Sequence, residues 1–253
     1  MAGTDSSRSM SFEDPVIILK EVQLAENVGM VMRTMLNFGF KNLRLVTPKI
    51  NWPDSKVISS SAGAYDIIGS EVKVYNSLEE SIQDIEVLCA TSVRKRDLDS
   101  FVDFPRNTIE NIKKSYNNNS IAFLFGPEKA GLKNKDLSLA NMVINIPTVH
   151  AFGSLNLAMS VNIICYEWYI KNRSIISDRH YHKQDLANKK EVNLFNDRLI
   201  KVLNDVNFFS NTDENEKLII NLTNIFSKNN LTNKELRILH GVIASIKKNK
   251  ESN

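Results

Sequence analysis

Short apolar segments alternate with amphipathic helical segments along the first 170 residues, and this alternation limits the possible folds more than any other feature. Apolar runs of about four to six residues are typical of strands buried on both faces. Between two such runs, Val28, Met32, Met35 and Leu36 form one helical stripe that ends before Gly39. Strands separated by helices in this way predict a mostly parallel α/β sheet with helices on both faces.

The predicted elements divide the chain into a large α/β domain and a helical tail. The predicted strands are 16–19, 43–46, 72–75, 86–91, 121–125 and 142–146, with helices at 26–38, 54–62, 77–84 and 154–170. Three further helices are predicted at 183–205, 213–226 and 232–248, the last opening with the capping box Thr232 to Glu235. We therefore predict a domain at 11–170, a linker at 171–182 and a helical C-terminal extension at 183–253, with 1–10 a cloning remnant.

Charge is unevenly distributed over these two parts. The chain carries a net charge of +3, with 15 Lys and Arg against 10 Asp and Glu from Lys171 onward, and 17 against 19 before it. A basic tail favours a nucleic-acid partner, because phosphate contacts supply affinity without reading sequence. A solvated, lysine-rich helical tail explains the charge equally well.

The apolar runs and the cysteines indicate the cellular compartment of the protein. No run approaches the roughly 20 apolar residues of a membrane helix, and the first ten residues lack the apolar core of a secretory signal. Cys89 and Cys165 both lie in apolar stretches, which favours buried free thiols over a disulfide. We expect a cytoplasmic protein that does not enter a membrane.

Several common chemistries lack their motifs. Only one glycine follows the first strand within the next ten residues, so the dinucleotide-binding fingerprint is missing. Gly126 and Gly131 have the outer spacing of a phosphate loop, but Leu132-Lys133 stands where Lys-Ser/Thr is required. No cysteine and histidine cluster has zinc spacing, and no Gly-x-Ser-x-Gly elbow occurs. We expect no metal.

The first polar motif is Glu26-Asn27-Val28-Gly29 followed by Arg33. Arg33 lies off the apolar stripe of its predicted helix and therefore points toward solvent or a ligand. A surface ion pair with Glu26, seven residues earlier, is the simpler interpretation and is worth little stability.

The second motif, Phe125-Gly126-Pro127-Glu128 with Gly131-Leu132, follows an apolar strand. Open α/β sheets bind ligands at the carboxyl ends of their strands, and glycines let backbone approach a ligand closely. A tight strand-to-helix turn accounts for the same residues.

The third motif runs from Ile146-Pro147 to Gly153-Ser154-Leu155-Asn156 at the start of the predicted long helix. Ser154 is a suitable cap for that helix, with Asn156 in its first turn. Capping explains Ser154 and leaves Asn156 without a role.

Together the three motifs resemble, in order and spacing, the 2′-O-ribose branch of the SPOUT superfamily of RNA methyltransferases. Further similar stretches narrow the resemblance to the TrmJ family, which methylates the ribose of nucleotide 32 in the tRNA anticodon loop. These stretches are Asn37-Phe38-Gly39, Trp52-Pro53, Gly63 to Asp66, Thr91 to Asp97, Tyr166-Glu167, and, in the tail, Leu222 to Phe226 with Glu235 to Gly241. Val93 stands where alanine is usual, and Glu26 where some members have glycine.

The resemblance implies an α/β fold whose C-terminal part forms a trefoil knot, a homodimer, and S-adenosylmethionine as cofactor. The implied cofactor-binding residues are Thr91, Ser92, Val93, Gly126, Gly131, Ile146, Pro147, Gly153, Ser154, Leu155 and Asn156. The implied catalytic residues are Asn27, Arg33, Glu128, Ser154 and Asn156, with Arg33 reaching the cofactor of the other subunit.

Arg33 corresponds to an arginine described as a general base in related enzymes. Because a guanidinium stays protonated in proteins, we interpret Arg33 as a bidentate clamp on the substrate phosphate. The phosphate or water would then take the hydroxyl proton.

Arg94, Lys95, Arg96 and Arg106 are candidate RNA contacts, or part of a solvated basic loop. The extension would enlarge the RNA surface or brace the dimer. A ribosomal RNA substrate, an inactive RNA-binding protein and a plain α/β ligand-binding domain are the competing interpretations. Intact Asn27, Arg33, Glu128, Ser154 and Asn156 argue against an inactive protein.

Overall fold

A computed structural model describes residues 12–13, 15–92, 102–116, 118–174, 185–209 and 214–251. The strands are β1 (Val16–Lys20), β2 (Leu43–Val46), β3 (Lys73–Tyr75), β4 (Val87–Thr91), β5 (Val102–Asp103), β6 (Ile121–Phe125) and β7 (Met142–Ile144). The helices are α1 (Ala25–Asn37), α2 (Ser55–Ser60), α3 (Ala64–Ile68), α4 (Leu78–Ser81), α5 (Pro105–Ser115), α6 (Asn134–Ser138), α7 (Leu157–Ser174), α8 (Lys189–Asp205), α9 (Glu214–Lys228) and α10 (Asn233–Glu251).

The strands form a seven-stranded sheet in the order β3-β2-β1-β6-β4-β7-β5, and every neighbouring pair is parallel. In the centre, Ile17 of β1 is in register with Leu43 of β2 and Phe123 of β6. The predicted parallel α/β fold is confirmed.

Helices cover both faces of the sheet. Alternate residues of a strand point to opposite faces, so Ile17 joins a core beneath α1 and α7 while Ile18 joins a second core beneath α4 and α6. The central strands are therefore buried on both sides, which explains their nearly continuous apolar sequence.

Strand order also places the functional loops. Strands β1, β6, β4 and β7 are consecutive neighbours in the sheet and run in the same direction. The segments that follow them therefore meet at one edge, the carboxyl edge of the sheet, where open α/β sheets bind their ligands.

The C-terminal helices form a core of their own and also contact the α/β domain. Residues of α8 and α10, among them Phe195, Leu236 and Ile243, make a third apolar cluster. Across the junction, the Lys189 backbone N–H donates to the Ile85 carbonyl at 2.8 Å. The capping box of α10 is present, with the Thr232 N–H donating to the Glu235 carboxylate at 2.8 Å.

Three predictions about elements need correction. Helix α7 begins at Leu157, and the Asn156 side chain, not Ser154, caps it by accepting the N–H of Ala158 at 2.8 Å. Helix α7 also continues to Ser174, so the predicted linker is helical at 171–174, and its remaining residues 175–182 lie outside the described part. Strand β5 and helices α3, α5 and α6 were not predicted; β5 has only two residues, and α3 and α6 have five each.

Cys89 and Cys165 are buried and free, as predicted. Burial raises the pKa of both thiols, that of Cys89 to about 12. Over the described ranges, no helix is long and apolar enough to cross a membrane. The same ranges hold no group of three or more His, Cys, Asp or Glu that would bind a metal.

We expect Lys189→Met to remove a pH dependence of stability. Lys189 is 1% exposed, its Nζ donates to the Ser227 carbonyl at 3.1 Å, and burial lowers its pKa to about 7. Between that value and its ordinary value of 10.5, the unfolded chain holds a proton that the folded chain has lost, so wild-type stability rises with pH. The difference in unfolding free energy between wild type and variant should change by about 1.4 kcal/mol per pH unit in this window.

Urea unfolding of both proteins from pH 6 to pH 10 measures this difference. Lys190→Met, which removes the neighbouring and exposed charge of the same helix, is the control and should not alter the slope. Parallel stability curves for wild type and Lys189→Met would contradict the assigned burial of the ammonium group.

Candidate active site

A cavity of about 290 Å³ opens at the carboxyl edge of the sheet. Its walls come from the ends of β4 and β7, the loop after β6, and the segment that leads into α7. The residues that line it are Thr91, Ser92, Gly126, Pro127, Glu128, Lys129, Ala130, Gly131, Leu132, Ile144, Ile146, Gly153, Ser154, Leu155, Leu157 and Ser160. Apolar side chains, glycines and a few hydroxyls are a typical lining for a small organic ligand.

The loop after β6 owes its shape to two glycines. A Cβ on Gly126 would lie 2.5 Å from the Leu132 nitrogen and 2.7 Å from the Gly131 carbonyl carbon, so only glycine fits there. Gly131 has φ +64°, a left-handed conformation that favours glycine. Leu132 anchors the loop in the core beneath α4 and α6. The loop therefore folds back on itself and leaves its backbone facing the cavity.

A second cavity of about 460 Å³ adjoins the first. Glu128, Ser154 and Leu155 line both cavities. The second is further lined by Leu24, Asn27, Thr148, Phe152, Asn156 and Met159. Four of the five predicted catalytic residues, Asn27, Glu128, Ser154 and Asn156, thus lie around one cavity although their motifs are far apart in sequence.

Hydrogen bonds fix three of these side chains relative to one another. The Asn27 amide donates to the Glu128 carboxylate at 2.8 Å, and the Asn156 amide donates to the Asn27 oxygen at 3.1 Å. The second carboxylate oxygen of Glu128 accepts the Gln23 N–H at 3.1 Å. Because Asn156 also caps α7, this chain of bonds ties the three motifs together. Asn27 is only 2% exposed, so its orientation is fixed by these partners.

The predicted cofactor residues are mostly brought together. Those that line the first cavity are Thr91, Ser92, Gly126, Gly131, Ile146, Gly153, Ser154 and Leu155. Asn156 lines the second cavity instead, and Pro147 is exposed and lines neither. Val93 lies outside the described residues.

The predicted cationic residues are not brought into this site within one chain. Arg33 is exposed on α1 and lines neither cavity. Its proposed ion pair with Glu26 is absent, since Glu26 pairs with Lys56 at 3.1 Å. Arg106 is exposed on α5 and pairs with Glu167 of α7 at 3.3 Å. Arg94, Lys95 and Arg96 lie outside the described residues.

Sequence reasoning missed several lining residues. Leu24 stands just before the first motif, and Ser160 lies one turn into α7, where helical spacing places it on the side of Asn156. Gln23 lines neither cavity but holds Glu128 through its backbone N–H. Phe152 escapes sequence prediction because a lone aromatic in a loop has no periodic pattern to mark it. Proximity to a motif was the sequence signal from which these lining residues could have been predicted.

A parallel α/β domain with a glycine-lined cavity at its carboxyl edge, beside a fixed cluster of amides and a carboxylate, belongs to the class of α/β proteins that bind a small ligand at the edge of the sheet. Residues 14–166 match the SpoU rRNA Methylase family, and the chain belongs to that family. Within it, the predicted similarity to TrmJ is confirmed by both sequence and structure.

Three similar proteins illustrate this relationship. The tRNA (cytidine/uridine-2'-O-)-methyltransferase TrmJ of Photorhabdus laumondii subsp. laumondii is 32% identical over 242 residues, covering 92% of this chain and 96% of that protein. The crystal structure of TrmJ from Z. mobilis ZM4 has a TM-score of 0.82 and 31% identity, covering 92% of this chain and 99% of that one. The SpoU methyltransferase AviRb from Streptomyces viridochromogenes, solved with the cofactor AdoMet, shares the fold at 22% identity and a TM-score of 0.50, covering 69% and 64%.

We expect Asn27→Asp to destabilise the site and a second substitution to repair it. An aspartate at this position replaces the donor to Glu128 by a second carboxylate, at a cost of about 1–3 kcal/mol. Adding Glu128→Gln restores the hydrogen bond between the two positions with donor and acceptor exchanged. The introduced glutamine amide donates to the introduced aspartate, and its oxygen still accepts the Gln23 N–H. Urea unfolding of wild type, both single variants and the double variant measures the coupling. Additive effects would show that the two side chains do not interact.

Proposed function

We propose that the protein transfers a methyl group from S-adenosylmethionine to the 2′-hydroxyl of a ribose in tRNA. The observation that carries this proposal is the pair of adjoining cavities, one lined mainly by backbone and apolar groups and one by Asn27, Glu128, Ser154 and Asn156. A cofactor and a ribose bound in these cavities would meet at their common wall. Membership of the SpoU family and the activity named for the P. laumondii relative support the same reaction.

The first cavity suits the cofactor. Gly126 leaves room that a Cβ would fill, and Ile144, Ile146 and Leu157 provide apolar walls for a flat heterocycle. Thr91, Ser92, Gly153, Ser154 and Leu155 supply hydroxyl and backbone groups for polar contacts, and Gly131 lines the same cavity. On the family resemblance alone, we assign Val93 and Pro147 to this site as well. When bound, the cofactor supplies an electrophilic methyl group.

The second cavity suits the ribose. Glu128 is held by Asn27 and Gln23 and is available to accept a hydrogen bond from the 2′-hydroxyl. Ser154 and Asn156 line the same wall and would orient the neighbouring oxygens. Such preorganisation accounts for about 7–11 kcal/mol of a barrier when the reacting groups are aligned. Substrate phosphate or water takes the hydroxyl proton.

Arg33 would complete the site from a second copy of the chain. In one chain it is exposed on α1 and lines neither cavity. A homodimer in which the partner's α1 faces this site would bring a guanidinium to the substrate phosphate, where its planar fork binds two oxygens at once. The exposed side chains of Tyr166 and Ile170 on α7, the helix packed against α1, give such a dimer apolar surface to bury.

Finer assignments follow from the same family. We propose a trefoil knot in the segment from β6 to α7, which contributes walls to both cavities. We further propose nucleotide 32 of the anticodon loop as the target, a cytoplasmic location, and RNA contacts from Arg94, Lys95, Arg96 and Arg106. The domain division at 11–170, 171–182 and 183–253 stays a prediction, with the extension adding to the RNA surface or bracing the dimer.

Transfer of radiolabelled methyl from S-adenosylmethionine to total tRNA, followed by nuclease mapping, tests the proposal. Label in a 2′-O-methylated pyrimidine at position 32 is the expected result. The family description names ribosomal RNA, which makes it the second candidate substrate. Label in ribosomal RNA alone would keep the reaction and exclude tRNA. No label in either RNA, with cofactor binding intact, would contradict the proposed activity.

A further inference from the structure

The turn between β7 and α7 exposes an aromatic ring. Phe152 ends the short 3-10 turn His150–Phe152, and at 81% exposure it is the most exposed large apolar side chain among the described residues. Its neighbour Val149 is 71% exposed. A single exposed apolar side chain is ordinary on a protein surface, so the position of Phe152 acquires meaning from the groups around it.

Phe152 stands at the second cavity, together with two other exposed apolar side chains. Leu24 enters from the segment before α1 and Met159 from the first turn of α7. Asn27, Glu128, Ser154 and Asn156 line the same cavity. The cavity therefore combines four apolar side chains, these three and Leu155 of the wall shared with the first cavity, with a cluster of polar ones.

A nucleoside likewise combines a polar part with a flat part that stacks on apolar groups. Its ribose carries hydroxyls, while its base presents two flat faces that stack on aromatic side chains. With the ribose at the polar cluster, the base of the same nucleotide lies within one glycosidic bond of it. The apolar side chains of Phe152, Leu24 and Met159 are the groups that line the cavity for that base.

We propose that the Phe152 ring stacks on the base of the nucleotide whose ribose is methylated, which makes Phe152 a substrate-binding residue. This inference rests on the proposed function. Stacking uses the face of a base and not its hydrogen-bonding edge, so it accepts cytosine and uracil alike. That tolerance agrees with the two bases in the name of the P. laumondii relative.

Substitutions at Phe152 test the proposal with tRNA as substrate. Phe152→Ala should lower kcat/KM for tRNA by roughly 10- to 100-fold, with the larger part in KM, since base stacking contributes about that much. Phe152→Leu should show a similar loss because it keeps apolar bulk without a ring face, whereas Phe152→Tyr should retain activity. Cofactor affinity, measured by calorimetry with S-adenosylmethionine, should be unchanged in all three.

Val149→Ala is the matched control, because Val149 is exposed in the same turn and does not line the cavity. It should leave kcat/KM unchanged. An equal loss in Val149→Ala would assign the effect to the turn as a whole and overturn the proposal. So would a change in sedimentation of Phe152→Ala toward monomer, which would place the ring in an interface between copies.

A tRNA with an abasic ribose at the methylated position supplies the decisive comparison. Wild type should lose about as much kcat/KM on the abasic tRNA as Phe152→Ala loses on normal tRNA, and Phe152→Ala should barely distinguish the two RNAs. Independent losses would overturn the stacking contact. Failure of wild type to methylate any tRNA would instead reject the proposed function, so the two failures are distinguishable.

Discussion

Methyl transfer to tRNA should fall on the order of 10²- to 10³-fold in Arg33→Ala, while cofactor binding stays intact. Arg33 is exposed and lines neither cavity of its own chain, so its removal leaves the fold and the cofactor cavity unchanged. The contact that we propose would be lost is a guanidinium fork on the substrate phosphate. Single-turnover methylation and calorimetry with S-adenosylmethionine separate the two quantities.

Charge and geometry can be distinguished at the same position. Arg33→Lys keeps the positive charge and loses the fork, and we expect it to lose at least about tenfold. Lys114→Ala removes an exposed cation from α5, paired with Glu110 at 2.8 Å, and should have no effect. Activity in Arg33→Ala within a factor of about three of wild type would exclude the phosphate clamp.

Mixed dimers test where Arg33 acts. In a two-fold symmetric dimer with composite sites, an Arg33→Ala chain and an Asn156→Ala chain together form one intact site. Unfolding and refolding an equal mixture of the two inactive proteins should restore about a quarter of the wild-type rate. A mixture that forms heterodimers and stays inactive would show that Arg33 works within its own chain.

Cofactor affinity should drop by about 100-fold or more in Gly126→Ala. The new Cβ would lie 2.5 Å from the Leu132 nitrogen and 2.7 Å from the Gly131 carbonyl carbon. Both neighbours are backbone atoms, and Leu132 is 2% exposed in the core, so the loop cannot yield without moving a wall of the cavity. Calorimetric titration with S-adenosylmethionine measures the loss, and circular dichroism confirms that the variant folds.

Gly131→Ala is the matched control in the same loop. Its φ of +64° costs an alanine about 1–2 kcal/mol, but a Cβ there meets nothing within 4 Å. We expect a small loss of thermal stability and a cofactor affinity within about tenfold of wild type. If Gly131→Ala weakens binding as much as Gly126→Ala, backbone strain and not crowding controls the cavity.

Periodicity was sufficient to predict most of the fold. Strands such as β1 and β6 have nearly continuous apolar sequences because both of their faces are covered, and α1 carries one clear apolar stripe. Strand β5 and helices α3 and α6 escaped prediction because two to five residues are too few for a periodic pattern to register. Helix α5 has its own signal, a proline in its first turn and buried Ile109 and Ile112 at helical spacing, and was simply overlooked.

Local ambiguity explains the error at the start of α7. Ser154 and Asn156 are both good capping residues, and sequence cannot say which N–H groups point toward them. The structure assigns the cap to Asn156, which also reaches Asn27. Asn156, for which the sequence indicated no role, therefore has two roles. Ser154, which was predicted to cap the helix, is instead exposed at both cavities.

The site was predictable as a set of motifs but not as a geometry. Order and spacing of the motifs indicated Asn27, Glu128 and Asn156, whereas their hydrogen-bonded contact depends on strands β1 and β6 being neighbours in the sheet. Gly126 is indispensable because of atoms five and six residues later, a crowding that no sequence pattern expresses. Arg33 stays apart from the site in one chain, so the role that we propose for it requires a second copy of the chain.

The wall common to the two cavities has a thermodynamic consequence. Glu128, Ser154 and Leu155 face both spaces, so a ligand that orders these groups for one cavity changes the affinity of the other. Thermodynamic linkage makes this effect reciprocal. The factor by which bound cofactor changes the affinity for RNA equals the factor by which bound RNA changes the affinity for the cofactor. Departure of either ligand would therefore change the affinity of the site for the other ligand by that same factor.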